Sequence, residues 1–186
     1  MIDEILKTEE LCNILRGVCE DNNIGTLICE ELLIDDGIDD ERVAILKVDK
    51  YYNTRDFAIP PKSIDCLIVL KHFNSDFSLY LIELKNVKNL GGSIKASDIK
   101  SKFKTTIDQF MSIDFQDIFL SKQYNILRLN LFLVTDPFKK ANLTDEQYQK
   151  KIKSTVLDKM QSIKPFKFRQ QIAQIVHKRP PVTVCL

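Results

Sequence analysis

Between Ser63 and Lys85 the chain reads SIDCLIVLKHFNSDFSLYLIELK, and a β-hairpin here would bring an aspartate, a glutamate and a lysine onto one face. Side chains alternate along a strand, so Asp65, Leu67 and Val69 share one side of the first arm. Leu79, Leu81, Glu83 and Lys85 share one side of the second. A turn centred on Asn74 makes paired residue numbers sum to 148, which sets Val69 opposite Leu79, Leu67 opposite Leu81 and Asp65 opposite Glu83. A slip of one residue would part the two faces.

Two carboxylates about 5 Å apart across a ladder repel, and each raises the other's pKa unless a cation lies between them. Mg²⁺ prefers hard oxygen ligands, keeps several waters, and is usually held by one or two carboxylates plus a substrate phosphate. Asp65 and Glu83 are therefore the expected metal ligands, with a metal-bound water as nucleophile. Lys85 is the ammonium expected to hold that water or the charge growing on the phosphorus. The competing reading is an ordinary charged set on a solvated hairpin face. Leu67, Val69, Leu79 and Leu81 make the same face apolar, and charges placed beside a core tend to mark sites.

A further carboxylate is expected from a short helix over residues 24 to 34. At 100° per residue, Leu27, Ile28, Leu32 and Ile34 cluster with Ile24, Glu31 falls in the middle of their face, and Glu30 lies about 120° away. A carboxylate aimed at a core is costly unless paired or metal-bound, so Glu31 is the expected additional catalytic, metal-facing group.

The elements that must position these residues read as an α/β fold. Residues 3 to 20 carry Ile5, Leu6, Leu11, Ile14, Leu15 and Val18 at helical spacing, and residues 42 to 50 read as a first strand. Gly91 and Gly92 form a connection without the GxxxxGK[ST] order of a phosphate loop. Ser97 is placed to cap a helix running to Phe115, with Ile99, Phe103, Ile107 and Phe110 on one face. ILRLNLFLVT, residues 126 to 135, reads as a buried strand parallel to the second hairpin arm after the helical crossover. Thr144 and Gln147 form a capping box for a helix to Met160, and the tail after Pro165 is ambiguous, with Phe166, Phe168, Ile172 and Val176 fitting period two moderately and Pro180-Pro181 marking a turn.

At 186 residues and 44% hydrophobic content, the chain suits one domain over residues 1 to 186 with a full core. No apolar run could cross a membrane, and MIDEILKTEEL is acidic rather than leader-like, so cytoplasmic residence is the expectation. Cys12, Cys19, Cys29, Cys66 and Cys185 are odd in number and widely spaced, and read as reduced core residues. The acidic run from Asp35 to Glu41 has its glycine misplaced for a calcium loop, and His72 and His177 read as surface residues. Net charge is only +1, so few phosphate contacts are expected of the chain alone. Lys95, Lys100, Lys102 and Lys104 gather after the hairpin, either as a phosphate track or as a solvated helix face.

Asp65, a strand, and then Glu83, Leu84 and Lys85 resemble the PD-(D/E)xK nuclease superfamily, whose restriction enzymes carry D…ExK at the end of a β-meander. The motif's proline is displaced, with Ile64 before Asp65 and Pro60 and Pro61 upstream. The resemblance implies a restriction-endonuclease-like core, a central mixed β-sheet flanked by α-helices, and Mg²⁺ as cofactor. No helix-turn-helix, zinc finger or basic arm remains to read a groove. In size and charge the chain is similar to the small cleavage subunit of heterodimeric type IIS restriction endonucleases. That likeness implies a site-specific deoxyribonuclease of restriction-modification, cutting one strand of double-stranded DNA beside a large recognition subunit that alone nicks. Two other readings stay open, an autonomous homodimeric repair or recombination nuclease and a catalytically silent binding subunit.

Overall fold

The computed structural model describes residues 1–35, 37–87, 94–139 and 143–186. A six-stranded sheet runs in chain order: β1 (Leu15–Arg16), β2 (Val43–Lys47), β3 (Cys66–Lys71), β4 (Asp76–Leu84), β5 (Asn125–Val134) and β6 (Ile175–Lys178). The first four pair antiparallel; β4 with β5 and β5 with β6 are parallel. The sheet is therefore mixed, as expected, with helices against it.

Why β3 and β4 form a hairpin is visible in their composition. Every residue from Cys66 to Leu70 and from Phe77 to Leu84 is buried, so both faces of both strands need cover. Leu67 lies opposite Leu81 and Val69 opposite Leu79, the register that a turn at Asn74 dictates. Asn74 adopts φ 50°, the left-handed region that asparagine tolerates better than most residues.

The two faces have different covers. Leu67, Val69, Leu79, Leu81, Leu129, Leu131 and Leu133 pack with Ile99, Phe103, Ile107 and Phe110 of the crossover helix, the four residues expected on its apolar face. Ile45, Ile68, Tyr80, Ile82 and Leu84 pack instead against a small sheet of Glu20–Asp21, Ile24–Ile28 and Val182–Val184. A bulge in β5 helps fill the helical side. Phe77 pairs with Ile126 and Ser78 with Arg128, so Leu127 is the extra residue and both Ile126 and Leu129 reach the same core.

The crossover helix spans Ala96–Thr105 and continues as a π-helix over Thr106–Asp114. Lys95 holds its N-cap position without a side-chain bond, so Ser97 is not the cap. The Thr144 and Gln147 capping box forms as read, but the helix behind it breaks at Lys153 and resumes over Val156–Met160. Ser154 sits between them at φ 64°. Helix at the start of the chain ends at Cys12, well short of residue 20. Gly91 and Gly92 lie outside the described residues.

Residues 24 to 34 are not a helix. Ile24–Ile28 is a strand, paired parallel with Val182–Val184 and antiparallel with Glu20–Asp21, and only Glu30–Leu32 makes a 3₁₀ turn. Five residues with apolar side chains at 24, 27 and 28 fit either period, and partners from both directions along the chain decide it. The cysteines also differ from expectation. Cys19 is bonded to Cys66 and Cys29 to Cys185, with Cα separations of 6.0 and 5.3 Å, and Cys12 is free and exposed. Spacing along the chain carries no information about which thiols the fold brings together. No helix among the described residues is long and apolar enough to cross a membrane.

Leu81 stands at the join of hairpin and crossover helix with no solvent exposure. Leu81→Ala should cost about 2–5 kcal/mol in urea unfolding, while Ile59→Ala, at a position 86% exposed, should change stability by less than about 0.5 kcal/mol.

Candidate active site

Asp65 precedes β3 by one residue and Glu83 is the last but one residue of β4, so continuing the ladder past Cys66 and Ile82 sets them opposite one another. Asp65 is fixed by the strand it faces: its Oδ2 accepts the Leu84 backbone N–H at 2.7 Å. Asp65 is 7% exposed and Glu83 is fully buried.

Two ammonium groups meet Glu83. Lys85 Nζ lies 2.9 Å and Lys102 Nζ 2.8 Å from Oε1, and Lys102 also donates to Oε2 at 3.0 Å. The contacts at Oε1 are ionic, without an aligned hydrogen bond of its own. Lys85 is held from behind, since its N–H donates to the Val134 carbonyl and its own carbonyl accepts the hydroxyl of buried Thr135 at 2.5 Å. Its side chain stays about a third exposed, the more open of the two.

Burial pushes the Glu83 carboxyl up to about 7, with Asp65 adding to the rise and Lys102 and Lys85 opposing it. For Lys85, burial pulls downward but the charges of Glu83 and Asp65 outweigh it, so the ammonium is held above its ordinary value. A third carboxylate stands nearby. Asp49, in the helix Val48–Asn53 that follows β2, is raised by burial, lowered by Lys47, raised by Asp65 and lowered by Lys102. Its Oδ1 accepts the Lys50 N–H at 2.9 Å and lies 4.0 Å from Lys47 Nζ.

The structure thus brings together Asp65, Glu83 and Lys85 and adds Lys102 and Asp49. Glu31 does not join them. It is exposed on the 3₁₀ turn, where its carbonyl accepts from Arg42 at 3.1 Å, and the charges acting on Glu83 are Asp65, Lys102 and Lys85. Its expected role depended on a helix that is a strand instead. Of the four gathered lysines, Lys100 and Lys104 are exposed and Lys104 pairs with Asp108, so Lys102 alone turns inward to the carboxylates. No spacing signal marks Lys102; the only clue is physical, that a buried Glu83 needs more than one cation. His177 is structural: half-buried, stacked on Tyr148 at 5.5 Å, with Nε2 3.0 Å from the Thr135 carbonyl. His72 Nε2 lies 2.7 Å from the Ser78 hydroxyl.

The donor chemistry fits Mg²⁺. Asp65 and Glu83 are adjacent oxygen donors, one Asp65 oxygen is outside its backbone bond, and Glu83 Oε1 is a buried oxygen without an aligned donor. Among the described residues no group of three or more His, Cys, Asp or Glu could share an ion, so a metal here would complete its shell with water or substrate. No family model matches this chain, and neither a curated protein nor a solved structure does.

In the metal-free protein the raised Glu83 pKa fixes the direction of its linkage to folding. The folded state binds the extra proton between about 4.5 and 7, so this contribution is complete below that window and lost as pH rises through it. Wild-type stability should therefore fall by about 3 kcal/mol over that window from this group. Urea unfolding across pH should show the fall in wild type and its absence in Glu83→Gln; parallel curves would contradict the assignment.

Proposed function

We propose that the chain is a Mg²⁺-dependent endodeoxyribonuclease subunit of restriction-endonuclease-like fold. One observation carries the reading: Asp65 lies next to Glu83 at the end of an antiparallel meander, with the Lys85 ammonium 2.9 Å from Glu83. That arrangement supports the likeness of D…ELK to the PD-(D/E)xK nucleases.

Asp65 and Glu83 are the residues that would hold Mg²⁺, which when bound supplies an acidified water and neutralises phosphate charge. The protein's own groups do the rest. Asp65 is pre-set by the Leu84 N–H, so its free oxygen needs no reorganisation to act as a ligand. Lys85, charged and partly open to solvent, is placed to stabilise the negative charge that grows on the phosphoryl oxygens. Lys102, less exposed, donates to Glu83 Oε2 and pairs ionically with Oε1, and so orients that carboxylate.

Target finding belongs to a partner in this reading. A charge of +1 gives weak docking, and a large recognition subunit would raise the local concentration of DNA to about millimolar. The chain then hydrolyses one strand of a double-stranded site while the large subunit cuts the other, as in type IIS restriction. A second reading has one observation in its favour: two ammoniums already satisfy Glu83, which suits a catalytically silent binding subunit.

Purified chain with Mg²⁺ and plasmid, with and without the large subunit, separates these readings. Double-strand breaks at a fixed offset should need both proteins, and the mixture with Asp65→Ala or Glu83→Ala should leave nicks in one strand only. Lys85→Ala should lose most cleavage while keeping Mg²⁺ binding, and Glu31→Gln should cut like wild type. Nicks alone from the wild-type mixture would favour the silent subunit, and specific cutting by the isolated chain an autonomous nuclease.

A further inference from the structure

A second concentration of charge lies on the sheet face turned away from the crossover helix. Arg128, Asn130 and Phe132 on β5 pair with Ser78, Tyr80 and Ile82, opposite in facing to Leu129, Leu131 and Leu133. The small sheet that covers Tyr80 and Ile82 leaves Arg128 and Lys178 exposed. Between them opens a cavity of about 420 Å³, lined also by Asn130, Phe132 and Arg179. That size is within the range of small-ligand sites.

The charged side chains that line this cavity are basic, and Thr183, Cys185 and Leu186 line it beside them. Among the described residues Arg128, Lys178 and Arg179 line it and no aspartate or glutamate side chain does, in a chain whose 27 basic and 26 acidic residues nearly balance. Asn130 Nδ2 is buried without a hydrogen-bond partner. Its donor capacity is therefore not used by another group among the described residues. The Cys185 carbonyl accepts instead from the Tyr80 hydroxyl at 2.8 Å. Two of the cations are held in place: Lys178 Nζ lies 5.5 Å from the Phe132 ring, and Arg179 donates to the Leu143 carbonyl at 3.1 Å, lies 3.9 Å from Asp145 Oδ1 and sets its guanidinium 4.6 Å from the Tyr148 ring.

We propose that this cavity is a phosphate-binding subsite, separate from the carboxylate and lysine cluster, with Asn130 and the cations around it as its donors. The phosphoryl group could be carried by a free nucleotide or by a DNA backbone, and the same three donor types serve both. The subsite does not depend on the hydrolytic reading of Asp65 and Glu83.

The test uses ¹⁵N-labelled full chain in EDTA at low salt, titrated separately with inorganic phosphate, adenosine monophosphate and a short DNA duplex. The Asn130 side-chain amide resonances should shift saturably with at least one probe. The Arg128→Glu/Lys178→Glu variant should weaken that binding by about tenfold or more, and Asp65→Asn should leave it unchanged. Both reversed residues are exposed, so the far-UV circular dichroism of the variant should match wild type. Tighter response to the monophosphate assigns a nucleotide, and tighter response to the duplex assigns the DNA backbone. An Asn130 amide indifferent to all three probes, or a response that survives the double charge reversal, would overturn the proposal. Because EDTA removes metal, absence of cleavage in the plasmid assay would leave this result standing.

Discussion

A carboxylate with no exposure can stay ionised only if cations are brought to it, and Glu83 imposes that requirement on its whole neighbourhood. One cation comes locally from Lys85, two residues on and just past the end of the same strand. The other comes from Lys102, and it reaches Glu83 only because the crossover helix packs Ile99 and Phe103 onto the leucines of the sheet. The same helix face continues to Thr106, whose hydroxyl accepts the Ile64 N–H at 3.3 Å beside Asp65. Lys102 and Thr106, one turn apart, therefore tie the Glu83 carboxylate and the backbone next to Asp65 to one helix. The apolar contact sets the helix, and the helix sets the charges.

This coupling explains why burial does not simply neutralise the site. Burial and Asp65 both favour the protonated form of Glu83, while the two ammoniums favour the charged form, and the balance lies close to neutrality. Such a group changes state in response to small changes around it, including the arrival of a divalent ion or a phosphate. A carboxylate left in water would lack that sensitivity.

What the sequence revealed follows the range of the interactions concerned. The hairpin register was legible because alternation and one turn residue determine it, and both lie within 23 residues from Ser63 to Lys85. The parallel placement of β5 was legible because a strand buried on both faces after a helix has few alternatives. The capping box at Thr144 is a contact over three residues. Glu31, Lys102, Asp49 and the cysteine pairs lay beyond that range. The strand at Ile24–Ile28 exists because Val182–Val184 pairs with it, and no local pattern near residue 24 announces a partner from the far end of the chain. Lys102 is one lysine among four until the helix is docked.

The parallel pairing of β4 with β5 also bears on synthesis. When Leu84 leaves the ribosome, β4 has its antiparallel neighbour but its other edge waits for Asn125–Val134, some 40 residues later. At about 5–20 residues per second that is a delay of several seconds. Throughout it, a nine-residue strand buried on almost every position in the finished protein presents an open row of amides and carbonyls. The nascent chain is most open to pairing with another copy of itself in this interval, and β5 closes the hazard when it docks. The strand that carries Glu83 is thus the one whose early exposure the cell must tolerate or shield.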